Sequence, residues 1–405
     1  RYRRKSGLRI CKIFPKGSYM KIIVLGAGMY VTGRDNSGNG TVLSSLSQLS
    51  KEVNIERVTV ISNSPSSSIE VESAKKRINK TLNSSLFVDY YDLVNNRIEE
   101  LFSNDNYDCT IIATPDNLHY QHCLLSLENK NHVLCVKPLV VNTNENRELI
   151  KLQIENNLLG MVEYHKRYDE ANLYTKKIIN DRSLGDLLYY QVDYSQRIGI
   201  PLKTFSGWVD NADIFQYLGI HYVDLFYFIT GYIPVRLIAY GTNGILKQNG
   251  INTYDSIHVS IIWKRDDEGE CITVFNTNWI DPECTSALSD QKYKLVGTRG
   301  RIENDHKNRG IELVTDESKI QHPNPYFSDY LFDPNGTKQF SGYGYQSIRQ
   351  FIMDARDVIS GNYEISYFED KRPTFKQAMI STAIIESVHK SLSNKSNWES
   401  INAQI

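Results

Sequence analysis

Two places in this chain carry residue types suited to moving a proton. Lys137 follows HVLCV (residues 132–136), a short apolar run, and Pro138 fixes the chain direction directly after it. An ammonium at the end of a buried strand can polarise an oxygen, and partial desolvation brings its pKa toward the working pH. The second place is NADIFQYLGIHYVDLFYF (residues 211–228), whose apolar spacing suits a helix after a polar turn. Tyr217 and His221 are four residues apart and Asp224 lies three further on, so a helix lines all three along one face. A histidine exchanges a proton near neutral pH, and a phenol beside a lysine can donate one. Taken singly, each has a plain structural reading: an exposed lysine at a strand end, or a packed, hydrogen-bonded helix histidine.

Further candidates surround these. His165, Lys166 and Arg167 follow another short strand-like run, where Arg167 either binds an anionic group or sits on a solvated turn. Trp208, in SGWVDN, either stacks on a flat ligand or anchors its own loop. The six cysteines show neither C-x-x-C nor alternating Cys/His spacing, so neither a metal site nor a disulfide framework is expected, and a reducing, cytoplasmic setting follows.

These residues need strands and helices to bring them together. Met20–Gly33 reads MKIIVLGAGMYVTG: a β-branched run that suits a strand buried on both faces, then Gly26-Ala27-Gly28. Glycines at such a turn let the backbone approach a pyrophosphate at the N-terminus of the next helix. The third glycine or alanine of G-x-G-x-x-G/A falls on Val31, and a polar, glycine-rich stretch from Gly33 to Gly40 precedes the next helical pattern, Thr41–Val53. Strands at 57–61, 108–114, 132–136 and 160–163 alternate with helical patterns, which predicts a parallel sheet with ligands at the carboxyl ends of its strands. The second strand ends in Ser62-Asn63-Ser64, without the acid that usually holds a ribose 2′-hydroxyl. With Lys75, Lys76 and Arg77 nearby in sequence, that end leans slightly toward NADP over NAD. Beyond Glu170, strand-like runs at 187–198, 235–240, 256–263, 271–279 and 292–296 predict a largely antiparallel sheet, and helical stretches at 345–360 and 375–392 cover part of the structure. Residues 321–342, rich in Asn, Pro, Asp and Gly, read as a long loop that shapes the pocket or a subunit contact.

In this order the motifs resemble those of the glucose-fructose oxidoreductase and inositol dehydrogenase (Gfo/Idh/MocA) family. GAG at 26–28 is similar to its dinucleotide loop, ATPDNLH at 113–119 to its ATPNxxH segment, and VKP at 136–138 to its EKP motif. EYHKRYDE at 163–170 is similar to the end of its cofactor domain, and LGIHYVD at 218–224 to its G-x-H-x-x-D helix. The resemblance implies a lysine that assists proton transfer at Lys137 and a catalytic histidine at His221. It departs at two points: the Glu of EKP is Val136, and the acid four residues before the histidine is Tyr217.

The expected architecture is α/β: residues 1–19 an upstream segment, 20–166 a Rossmann dinucleotide-binding domain, and 167–405 an α+β domain for substrate and oligomerisation. The expected catalytic residues are Lys137, His221 and Tyr217. Expected cofactor contacts are Gly26, Ala27, Gly28, Met29, Tyr30, Asn63, Ser64, Thr114, Pro115, Asp116, Leu118, His119 and Lys137, and expected substrate contacts are His165, Arg167, Trp208 and Asp224. The expected activity is NAD(P)-dependent hydride transfer to or from a sugar, nucleotide-sugar or cyclitol. An NAD-dependent glycosidase with transient oxidation and a non-catalytic dinucleotide-bound sensor are the alternatives.

Composition bounds the partners. At 405 residues, with 40% hydrophobic and 23% charged residues, the chain suits two globular domains. Residues 1–19 hold seven basic residues and no acid, so against a net charge of −1 the rest is mildly acidic. That balance argues against extended nucleic-acid binding, and no apolar run approaches bilayer length. A sugar-like small molecule and a second copy, as homodimer or homotetramer, are the expected partners.

Overall fold

The computed structural model describes residues 19–33, 38–64, 66–317 and 319–404; the basic leader, residues 1–18, lies outside them. The first sheet is parallel throughout. It consists of β1 (Met20–Leu25), β2 (Ile55–Ser62), β3 (Val88–Asp92), β4 (Cys109–Ile112), β5 (His132–Val136) and β6 (Gly160–Glu163), in the order β3-β2-β1-β4-β5-β6. Side chains of β1 alternate between two cores: Ile22 and Val24 join one, Ile23 and Leu25 the other, each at most 2% exposed. That double burial is why the run is apolar rather than alternating. Sequence reading missed β3, VDYYD, because an edge strand with only Val88 fully buried lacks that apolar signature.

The helices of this half are α1 (Met29–Thr32), α2 (Thr41–Leu49), α3 (Ser67–Leu82), α4 (Ile98–Asn104), α5 (His119–Glu128) and α6 (Thr143–Glu155). The helix after the glycine turn is split. The chain leaves α1 at Gly33 and resumes at Gly40, both at φ +71°, and a Cβ at Gly40 would lie 2.4 Å from the Thr32 carbonyl carbon. Only glycine fits that crossing.

The second sheet runs β12-β11-β7-β10-β9-β8-β17, from β7 (Leu187–Arg197), β8 (Ile233–Thr242), β9 (Ser256–Lys264), β10 (Glu270–Asp281), β11 (Ser289–Gly297), β12 (Gly300–Asp305) and β17 (Glu399–Ser400). It is antiparallel except between β7 and β10. Its inner face packs on α7 (Glu170–Asn180), α8 (Ile220–Thr230), α9 (Ile245–Gln248) and the second half of α11 (Phe375–Ser393). Tyr189, Tyr240 and Ile272 stand exposed on its strands.

The two halves share their cores. Ile348, Phe351 and Ile352 of α10 (Tyr343–Ile359) pack with β1 and α2, and Phe375, Ala378 and Met379 of α11 pack with β5 and α6. The expected division at residue 166 therefore does not separate the packing. Residues 321–342, expected to be a loop, hold a hairpin of β15 (Asp329–Phe332) and β16 (Lys338–Ser341), which follows a smaller hairpin of β13 (Leu313–Thr315) and β14 (Lys319–Gln321). The β15–β16 hairpin docks on the first half. The Tyr330 hydroxyl lies 2.7 Å from Ser44 Oγ, the Phe340 amide donates to Gln48 Oε1 at 3.0 Å, and the Phe340 ring is 1% exposed.

Candidate active site

The carboxyl ends of β1, β4, β5 and β6 converge on one edge, as parallel pairing in register requires. At β1, Gly26 has φ +103° and its Cβ position is 2.3 Å from the Ala113 carbonyl oxygen, so the turn lies against the end of β4. Gly28 is different: it is exposed, and a Cβ there would meet nothing within 4 Å. That open approach, followed by the amides of Met29 and Tyr30, suits a pyrophosphate. After β4, Thr114, Pro115, Asp116 and Leu118 border the same edge, but His119 does not reach it. Its ring is fully buried, with Nδ1 2.7 Å from the Pro138 carbonyl oxygen and Nε2 2.9 Å from that of Thr114. The expectation that His119 touches a cofactor is corrected accordingly: both nitrogens tie the β4 turn to the β5 turn.

Lys137, at the end of β5, points inward. Its ammonium donates to the Tyr217 carbonyl oxygen and stands 3.7 Å from the centre of the Tyr217 ring. Burial pushes its pKa down to about 8, opposed by the carboxylates of Asp116 and Glu163. Asp116 is held by Gln216, whose Nε2 donates to Oδ2 at 2.8 Å. Tyr217 sits in a wide π turn, Phe215–Gly219, that runs directly into α8. Its phenol is pushed up by burial and by Asp116, so it holds its proton. His221 is 5% exposed, and its Nδ1 finds no hydrogen-bond partner among the described residues. Burial, then the nearby Lys137, His165 and Lys166, pushes its pKa well below the usual value. The ring is therefore a neutral base with a free nitrogen.

One group left out of the expected site, Glu163, lies beside them with Tyr30. Glu163, at the end of β6, is 3% exposed; its Oε2 accepts from His165 Nδ1 at 3.0 Å. The Tyr30 hydroxyl approaches this carboxylate, and burial, then the Glu163 charge and its side-chain hydrogen bonding, push the phenol's pKa well up. His165 packs 4.7 Å from the His221 ring, with Phe327 and Tyr343 at 4.9 and 5.6 Å on its other sides. Lys166 is 3% exposed and donates to Gln291 Oε1 at 2.6 Å, and burial brings its pKa to about 7. Charged residues on a post-strand turn look solvated in sequence, so nothing local marked Glu163 or Lys166 as buried.

Arg167 and Asp224, expected to touch substrate, take each other up. The Asp224 carboxylate receives Arg167 Nε at 2.8 Å and Nη2 at 2.6 Å, while Arg167 Nη1 donates to Gln377 at 2.5 Å. Both residues are buried, at 4% and 1% exposure, so they bind each other and not a substrate. Of the cations near the end of β2, Lys75 and Lys76 make surface ion pairs with Glu72, and Arg77 donates to the Thr32 carbonyl oxygen at 2.6 Å. Asn63 is exposed at the end of β2, and the Ser62 and Ser64 carbonyls accept from the Tyr90 hydroxyl. Trp208 packs on Phe205 and Tyr217, with ring centres 4.4 and 5.8 Å away, which anchors its loop beside the site.

Residues 20–164 match the oxidoreductase family with an NAD-binding Rossmann fold, and residues 176–400 match its C-terminal α/β domain. The chain is similar to the scyllo-inositol 2-dehydrogenase (NADP+) of Bacillus subtilis, 31% identical over 40% of this chain and 45% of that one. It is also similar to the 2,7-anhydro-N-acetylneuraminate hydratase of Mediterraneibacter gnavus, 25% identical over 36% of this chain and 39% of that one. These curated relatives are thus matched over less than half their length. The fold is that of the scyllo-inositol dehydrogenase of Lactobacillus casei, solved with NAD(H) and scyllo-inositol, at a TM-score of 0.66 and 15% identity over 95% of this chain and 99% of that one. With both halves matched in order, the chain belongs to the Gfo/Idh/MocA family of oxidoreductases.

Proposed function

We propose that this protein transfers hydride between the nicotinamide of NAD or NADP and a hydroxyl-bearing or carbonyl carbon of a cyclitol or sugar-like substrate. The observation that carries this reading is the meeting of half-buried Lys137 with buried His221, both poorer proton holders than usual, on the sheet edge that also carries the open turn at Gly28. The turn at Gly26, Ala27 and Gly28, with the edge at Thr114, Pro115 and Leu118, would hold the dinucleotide, which supplies the hydride chemistry. Lys137 then presents its ammonium to the substrate oxygen. His221, neutral with a free nitrogen, takes the hydroxyl proton on oxidation and returns it on reduction. Tyr217 is a positioning group, since its carbonyl oxygen and ring hold the ammonium in place. A second copy covers the outer face of the seven-stranded sheet, where Tyr189, Tyr240 and Ile272 are exposed.

The similarity to a hydratase of an anhydro sugar favours one second reading, in which the substrate is oxidised transiently and the dinucleotide is restored within each turnover. One experiment separates the two. The purified protein is denatured to identify any released dinucleotide, then screened against cyclitols, sugars and nucleotide-sugars by nicotinamide absorbance and by product analysis. Net absorbance change supports the dehydrogenase, and product without net change supports the second reading. Neither signal with any substrate, in protein that binds dinucleotide, refutes both.

A further inference from the structure

Val136 stands where the E-K-P arrangement has a carboxylate, immediately before the lysine. The sheet register shows what lies beside it. β5 and β6 are parallel neighbours, and the Cα partner of Val136 is Glu163. Partners in register on adjacent parallel strands project from the same face, about 4.8 Å apart. Glu163 therefore brings a carboxylate to the same face and the same strand end from which position 136 has lost one.

The surroundings of Glu163 are those of a working group. It is 3% exposed, its Oε2 accepts from His165, and the Tyr30 hydroxyl approaches the carboxylate. A buried carboxylate is costly unless positive charge or donors face it. Its charge acts on Lys137 after β5, on Tyr30 of α1, on Tyr168 of the turn after β6 and on Tyr343 of α10. Lys137 itself faces Glu163, Asp116 from the β4 turn, and the Tyr217 and His221 side of α8.

We propose that Glu163 supplies from β6 the carboxylate missing at position 136, as a positioning residue that places negative charge beside Lys137 and holds His165 against His221. The inference rests on the proposed hydride-transfer reading for its purpose, but its geometry stands apart from that reading. Exchange of the carboxylate between neighbouring strands keeps one negative charge at the lysine while changing which backbone carries it.

The test reads Lys137 without turnover. Free protein is exposed to an amine-acylating reagent across pH 6–10, and modification of the Lys137 peptide is followed by mass spectrometry. Four proteins are compared: wild type, Glu163→Gln, Glu163→Val, and the double variant Val136→Glu/Glu163→Val. Loss of the carboxylate lowers the lysine's proton affinity, so in both single variants modification at pH 7 should rise roughly fivefold, the effect of a shift of about one unit. The double variant should return to within twofold of wild type. Wild-type reactivity in folded Glu163→Gln, or no return in the double variant, overturns the proposal. Turnover with unchanged Lys137 reactivity would refute only the role of Glu163. The expected reactivity pattern in a protein that turns over no cyclitol or sugar would refute only the hydride-transfer reading.

Discussion

Replacing Arg167 by Met removes a guanidinium with three hydrogen bonds, two to Asp224 and one to Gln377. Asp224, 1% exposed, then keeps a buried charge with no guanidinium to answer it. Breaking one side of a buried ion pair costs about 3–5 kcal/mol, far more than the 0–1 kcal/mol of an exposed pair. At about 1 °C per kcal/mol for a chain of 405 residues unfolding as one body, the thermal midpoint should fall by roughly 5 °C. Circular dichroism or scanning calorimetry at fixed protein concentration reads that shift. The double variant Arg167→Met/Asp224→Leu should regain most of the loss, because it removes both charges and leaves apolar groups among Tyr164 and Phe228. For any substrate found, KM should stay within about threefold, as neither residue is free to touch it. A midpoint within about 2 °C of wild type together with a tenfold rise in KM would mean that Arg167 is a ligand after all, and the pairing argument would fail.

Gly28→Val should leave the thermal midpoint within about 2 °C of wild type, since the site is open and its φ of −69° suits any residue, yet weaken dinucleotide binding by about 100-fold in calorimetry; unchanged affinity refutes the placement. Lys137 is protonated below about pH 8 and His221 is neutral at pH 6.5 and above, so hydroxyl oxidation, with His221 as base, should hold level between pH 6.5 and 8 and fall above 8, whereas carbonyl reduction, which needs the proton on His221, should fall throughout that range; the same profile in both directions would refute the assignment. Lys137→Ala should lower turnover by about 10²- to 10⁴-fold with dinucleotide affinity within about threefold of wild type, and equal losses in both would count against the assigned role. Ile272→Lys with Tyr240→Glu, on the exposed sheet face, should convert an oligomer to a monomer in sedimentation at micromolar concentration; a monomeric wild type would refute the second-copy reading.

Much of the fold was legible because its signals are local. The run Lys21–Leu25 is apolar throughout, as a strand between two helical layers must be, and GAG marks its turn. Tyr217 and His221 could be placed together from their spacing alone, since four residues stay on one side of either an α or a π turn. What stayed hidden depends on distant partners. Nothing in DCTIIATPDNLH says that its histidine turns inward to two carbonyls, nor does helical spacing say that Asp224 faces an arginine 57 residues earlier. Glu163 carried one sequence signal: it ends β6 as Val136 ends β5, and aligning those two strand ends would have paired them. The hairpin at 329–341 was unreadable for a simpler reason. Its strands are four residues each and mostly polar outside Tyr330 and Phe340.

The shared cores also bear on how the chain is made. The first half emerges from the ribosome complete in its six strands, but one wall of its interior, formed by Phe340, Ile348, Phe351, Ile352 and Phe368, is still unsynthesised. At about 5–20 residues per second, the faces of β1 and α2 wait on the order of ten to forty seconds for that cover. The nascent intermediate is thus an incomplete globule with apolar surface open to solvent, the kind of species that holdase chaperones recognise, and its vulnerability ends only when the C-terminal helices arrive.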